Sequence, residues 1–272
     1  MSFSLVPGFA QRYPKDDEEH PSPIPDDRHS RHSRHSRHSR LDRESAPDRT
    51  SLLFETCCTT LEQARAAQSR GSNRIELCVD LPIGGVTPPH DLIREVVAQL
   101  SIPVNVLIRP SVMPGSDRAS GFSARDFVYD EAELQRMIED IGYCRAVGVA
   151  GVVIGALTPE GTIDLPTMRR LIAAVRGGTG SRPLTVTFHR AFDICAEDPF
   201  TALDKIIALG CNRLLSSGQA QTAWDGRNLL NLLVRRAGRR LIVMPGCGVT
   251  PDNLSALAAA TRASEFHGTR IP

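Results

Sequence analysis

The chain has 272 residues, 41% of them hydrophobic, seven cysteines and a formal net charge of +1. That length builds one large domain or two small ones, and the near-neutral balance argues against a general nucleic-acid binder. No apolar run approaches the ~18 residues of a transmembrane helix, and the first twenty residues lack the charged-then-apolar order of a secretory signal.

Residues 1–50 hold few large apolar side chains and many Pro, Asp, Arg, Ser and His. Such a segment cannot offset the entropy of ordering, so a disordered, low-complexity tail is expected. Arg28 to Arg40 is four copies of Arg-His-Ser followed by Arg. His29, His32, His35 and His38 could load a metal, and the arginines could form a basic address or an anion patch. A repeat-expanded solvated tail is the plainer reading, because neighbouring arginines repel a cation.

From residue 51 a strand-then-helix pattern repeats. SLLFETCC (51–58) reads as the first strand. Its helix follows, with Thr59 and Glu62 at capping-box spacing and Gly71 at the end. NRIELCV (73–79) is the second strand, after which Thr87 and Pro88 offer an N-cap and a first helical residue. IPVNVLIRP (102–110) is the third, followed by a Gly/Ser/Arg-rich loop over 111–129. Asp130 and Glu133 open an amphipathic helix with Leu134, Met137, Ile138 and Ile141 on one face. GVVIGAL (151–157) is the fourth strand, and Asp164 begins its helix. LTVTFHRAFD (184–193) is the fifth, with a helix over 199–210; NRLLSSG (212–218) is the sixth, with a helix over 227–237. LIVMPG (241–246) is the seventh, with Thr250 and Pro251 starting its helix, and SEFHGT (264–269) is the eighth.

Eight strands, seven of them followed by a helical pattern, read as an α/β chain: a (β/α)8 TIM-type barrel over residues 51–272 that lacks its last outer helix. A doubly wound open sheet is the alternative. The absence of a Gly-x-Gly-x-x-Gly fingerprint after the first strand, and the closure number of eight, favour the barrel. The odd set of cysteines, spread through these strand and helix runs, reads as reduced thiols of an intracellular protein.

Side chains alternate along a strand, so residues two apart share a face. Glu55 and Cys57, Glu76 and Cys78, Asn105 with Arg109, Thr187 with His189, and Glu265 with His267 then point to the barrel axis. Buried charges need partners, and Arg109 against Glu55, Glu76 or Glu265 is the expected pairing. A satisfied ionic layer is the plain reading of the glutamates. Cys57 and Cys78 hold corresponding places on strands ~4.8 Å apart, so the two thiols could share a soft ion such as Cu(I), or zinc with further ligands. Buried cysteine also serves simply as packing. Gly246 and Gly248, between a strand and a helix N-terminus, match a barrel phosphate site or a tight turn. A rival to metal binding is an enzyme for a small polar or phosphorylated metabolite. In it Arg109, Gly246 and Gly248 hold the anion, and Glu55 or Glu76 exchanges protons with His189.

RIELC with GGVTPP, VLIRP, DFVYDEAELQRMIEDI, GVVIGALTPEGTID, TFHRAFD, RLLSSG, VMPGCGVTPDN and EFHGT, in that order, resemble the CutC family of copper homeostasis proteins. The resemblance implies a TIM-type barrel and a cytoplasmic, sometimes also nuclear, homo-oligomer. It also implies a role in copper handling, with Cu(I) held by the cysteines at the matching positions, Cys57 and Cys78. Three departures stand out: a longer loop over 111–125, Cys247 interrupting a glycine triplet, and little of the family's segment beyond EFH.

Overall fold

The computed structural model describes residues 52–110, 123–177 and 183–271. The tail 1–50 with its Arg-His-Ser copies, and residues 111–122 of the long loop, lie outside the described residues. The strands are β1 Leu53–Cys58, β2 Arg74–Leu77, β3 Val104–Leu107, β4 Gly151–Ile154, β5 Thr185–Phe188, β6 Arg213–Ser216, β7 Ile242–Pro245 and β8 Glu265–Gly268. Among the described residues seven α-helices alternate with them: α1 Leu61–Ser69, α2 His90–Gln99, α3 Glu131–Val147, α4 Leu165–Arg176, α5 Pro199–Ala208, α6 Arg227–Ala237 and α7 Pro251–Thr261. All ladders are parallel, in the order β7-β6-β5-β4-β3-β2-β1-β8. β7 and β8 lie in contact and complete the ring. The chain is a TIM-type barrel, and no helix among the described residues follows β8.

The outward phase of the strands packs under the helices. Ile75, Leu77, Val106, Ile154, Phe188 and Phe266 are buried there. Where an eighth helix would stand, Ile271 is buried in the same layer and its carbonyl accepts the Thr56 hydroxyl. A separate small cluster of Cys57, Cys78, Leu107 and Val153 fills part of the barrel interior.

Several local expectations shift. Thr60, not Thr59, caps α1 and accepts from the Gln63 amide; Thr59 is held by the Gln63 side chain. Thr87 does not cap α2. Its amide donates to the Arg109 carbonyl at 2.8 Å, and its hydroxyl accepts the Arg109 amide at 2.8 Å, so it is tied to the end of β3. Pro89 takes the N-cap position instead. The described end of the long loop forms a 3-10 turn, Ala124–Phe127, closed by a Ser123/Asp126 capping box. The fifth strand stops at Phe188, because the His189 ring accepts the Ala191 amide and starts a 3-10 turn, Arg190–Ile194.

Glycine is required at the floor of the barrel. A Cβ on Gly151 would stand 2.2 Å from Thr185 Oγ1 and 2.7 Å from the Thr185 carbonyl oxygen. Backbone cannot yield as a side chain does, so Gly151→Ala is expected to destabilise the protein by about 1–3 kcal/mol. The check is a lower urea midpoint with an unchanged slope.

Candidate functional site

Three levels of inward side chains stack along the barrel axis. The lowest is ionic. Arg74 donates to Glu55 and to Glu265, each at 2.5 Å, and Arg213 adds a second contact to Glu265 at 2.7 Å. Asn105 donates to Glu55 at 2.9 Å. Burial alone would raise the Glu55 carboxyl, but the His267 hydrogen bond and the Arg74 charge overcome it and hold Glu55 at about 2. The expected pairing of Arg109 with these glutamates is therefore incorrect. Arg74, two residues before Glu76 and in its phase, is the counter-ion. Arg109 instead donates to the carbonyls of Ile83 and Gly85, at 2.9 and 2.8 Å, and lies over the Phe127 ring.

The middle level carries the chemistry. Cys57 aligns with Glu76 across the β1–β2 ladder, so Cys78 stands one step higher, yet the two sulfurs meet at 3.5 Å. His267 joins the levels, with Nδ1 2.9 Å from Glu55 and Nε2 3.3 Å from Glu76. Ligand atoms of Cys57, Glu76 and His267 all lie within 4.8 Å of one another. Strand phase places His267 inward, but nothing in the sequence marks it as the link between two glutamates 191 to 212 positions away. The hydrogen bond with Cys78, then burial, raise the Cys57 thiol well above its usual value, so it is neutral without a cation. Burial opposes protonation of His267, but Glu76 and Glu55 outweigh it and raise its pKa.

Burial raises the Glu76 carboxyl from the usual 4.5 to about 7, with His267 pulling the other way and Glu55 helping. A carboxyl raised on folding stabilises the fold fully below 4.5, and that contribution is lost as pH rises through about 7. Metal-free protein should therefore lose stability across this window. Glu76→Gln is expected to shrink the loss, the remainder coming from His267 held by Glu55, and to be more stable than the parent at pH 8, on the order of 2 kcal/mol. Denaturant melts at several pH values check this.

The upper level is a cavity of about 470 Å³ at the carboxyl ends of the strands. Cys57, Glu76 and Cys78 line its floor, and Arg109, His189 and Gly248 its wall. His189 is buried, and burial together with the Arg109 charge holds its pKa at about 3, so the ring is neutral. The two glycines expected to bind an anion divide. Gly246 is not available, because its amide donates to the Ser216 carbonyl at 2.9 Å as part of the sheet. Gly248 reaches the cavity, after Cys247 takes an unusual left-handed conformation with φ of 76°. Asp193 lies in the 3-10 turn after β5. It accepts from the Ser216 hydroxyl and from Ser217 and Gln219 amides, tying the loop after β6 to the turn after β5.

A nearly closed parallel barrel, with a cavity over thiol, imidazole and carboxylate groups at the carboxyl ends of its strands, defines a TIM-barrel protein. Within that class the chain belongs to the CutC family, whose sequence profile matches residues 52–272. It is 45% identical over 216 residues to a family protein CutC of Parabacteroides distasonis, spanning 79% of this chain and 81% of that one. A Xanthomonas campestris family protein CutC is 44% identical over 216 residues, spanning 79% and 82%. A solved Streptococcus agalactiae structure, described as a candidate copper homeostasis protein CutC, superposes with a TM-score of 0.71 at 31% identity. It covers 81% of this chain and 100% of that one. Among the described residues no helix is long and apolar enough to cross a membrane.

Proposed function

We propose that this protein is a copper homeostasis protein that binds Cu(I) between Cys57 and Cys78. The observation that carries the reading is the 3.5 Å approach of the two sulfurs inside the barrel. Two thiols are the soft donors that suit Cu(I), and His267 and Glu76 stand within reach to complete the set. The description of the Streptococcus agalactiae relative as a candidate copper homeostasis protein points the same way. The Cys57 thiol holds its proton firmly, so ion binding at this sulfur must displace a proton.

The working domain in this reading is residues 51–272, acting in the cytoplasm, sometimes also in the nucleus, as a homo-oligomer. The tail 1–50 is not required for the site. An anaerobic titration of the full chain against a Cu(I) chelator tests the proposal. One tightly held ion per chain is expected, with affinity rising on the order of tenfold per pH unit for each proton displaced. Affinity that is independent of pH, or no competition with the chelator, would sink it.

A further inference from the structure

Part of the cavity wall is built by two neighbouring turns. Cys247, Gly248 and Val249 follow β7, Thr269 and Arg270 follow β8, and all five line the cavity. The turns touch: a Cβ on Gly268 would stand 3.1 Å from the Val249 carbonyl oxygen. Gly246 still gives its amide to the sheet, after which Cys247 and Gly248 take left-handed φ values of 76° and 70°. Among the described residues the amides of Cys247, Gly248 and Val249 donate to nothing, and neither do those of Thr269 and Arg270. The N-terminus of α7 is already closed, because Thr250 and Asn253 form its capping box and Pro251 has no amide hydrogen. The open donors are therefore those of the turns themselves.

The charge beside them is Arg270. It lies exposed at the cavity rim and makes no ion pair or hydrogen bond among the described residues. Arg109 and Arg190 line the cavity too, but Arg109 is engaged by the Ile83 and Gly85 carbonyls and Arg190 by Asp193. Three successive amides with one guanidinium suit an anion that offers several terminal oxygens and more than one charge, which a phosphate group has and a carboxylate lacks. Parallel barrels commonly hold phosphate at the loops after their seventh and eighth strands. Glu76 on the floor is the only carboxylate among the described residues that lines the cavity, and it opposes a second anionic group there.

A bare phosphate ion would use only that corner. The cavity holds about 470 Å³, and Leu81, Leu107, Phe127 and Leu215 give it apolar wall that suits a carbon skeleton. His189 also lines it and is 5% exposed. Its Nδ1 accepts the Ala191 amide at 3.2 Å, which leaves the proton on Nε2, the end of the ring turned away from its own backbone. That Nε2 is buried and has no hydrogen-bond partner among the described residues. A buried donor is costly to leave unmet, and a ligand oxygen would meet it.

We propose that this cavity binds a small phosphate monoester, its phosphate on the amides of Cys247, Gly248 and Val249 with Arg270, and a neutral hydroxyl or carbonyl oxygen of its carbon skeleton accepting from His189 Nε2–H. The site is separate from the thiol pair and does not depend on the copper reading.

The test is nuclear magnetic resonance on full-length protein labelled with nitrogen-15, titrated separately with glycerol phosphate, inorganic phosphate and glycerol. Glycerol phosphate is expected to shift the amide resonances of Cys247, Gly248 and Val249 and the His189 Nε2–H resonance together and saturably. Inorganic phosphate is expected to move the three amides alone, with at least about tenfold weaker affinity, and glycerol to move nothing. Arg270→Gln, at an exposed position, is expected to weaken both phosphate species at least about tenfold. His189→Leu is expected to bring the ester down to the affinity of inorganic phosphate and to leave inorganic phosphate unchanged. Should that variant fail to fold, the His189 resonance of the parent decides, since the ester must move it and inorganic phosphate must not. No saturable shift of the three amides with the ester overturns the proposal. So does equal affinity for ester and inorganic phosphate, or unchanged affinity in Arg270→Gln.

Discussion

Replacing Cys57 and Cys78 together by serine is expected to lower Cu(I) affinity by at least about a hundredfold, more than the 10–100-fold typical of losing groups that only support a metal's ligands. The two sulfurs stand 3.5 Å apart and both are buried, at 7% and 1% exposure. Cys58, next in sequence, points to the opposite face and packs under the helices. Cys58→Ser is therefore expected to leave copper affinity unchanged. Serine at 57 and 78 keeps a small polar group beside Glu76, so folding should survive. Competition with a Cu(I) chelator, read beside a circular dichroism melt, separates loss of the site from loss of the fold. Equal affinity in the double variant would remove the thiols from the account.

Arg74→Met is expected to be the most destabilising single change in the barrel. Arg74 neutralises Glu55 and Glu265 at once, both essentially inaccessible to water. Deleting one member of a buried ionic cluster leaves the others charged and unpaired, at a cost of about 3–5 kcal/mol. For a domain of this size that is a fall in Tm of about 10 °C. The loss should shrink at low pH. Glu55 holds a folded pKa of about 2 through its partners, so the stability it contributes is present above 4.5 and disappears as pH falls through about 2. A variant that melts with the parent at neutral pH would mean that Arg213 and His267 suffice to balance the two glutamates.

Much of this architecture was legible because strand periodicity and helix punctuation agree. α6 runs over the residues its leucine pattern marks, and Asp130 and Glu133 form their capping box. The inward phase of Glu55, Cys57, Glu76 and Cys78 could be read from alternation alone. What alternation cannot supply is which inward groups meet across the ring. The strands are staggered, so Cys57 faces Glu76 and Glu55 faces Arg74. That offset is a property of barrel closure. Arg109 therefore looked like the natural counter-ion, while the structure commits its guanidinium to the carbonyls of the loop before α2. The glycine turn after β7 failed for a similar reason: Gly246 continues a ladder whose partner strand is 30 residues away. His267 lay in view on the last strand, but its role needs two partners on the first two strands.

The proposed function places one copper ion between two particular sulfurs. Anomalous diffraction at the copper edge, from crystals of anaerobically Cu(I)-loaded full-length protein, tests it most directly. A single strong peak is expected in the barrel, bonded to Cys57 Sγ and Cys78 Sγ and beside His267 or Glu76. A peak at Cys247 or on the histidines of the tail, with none between Cys57 and Cys78, would contradict it.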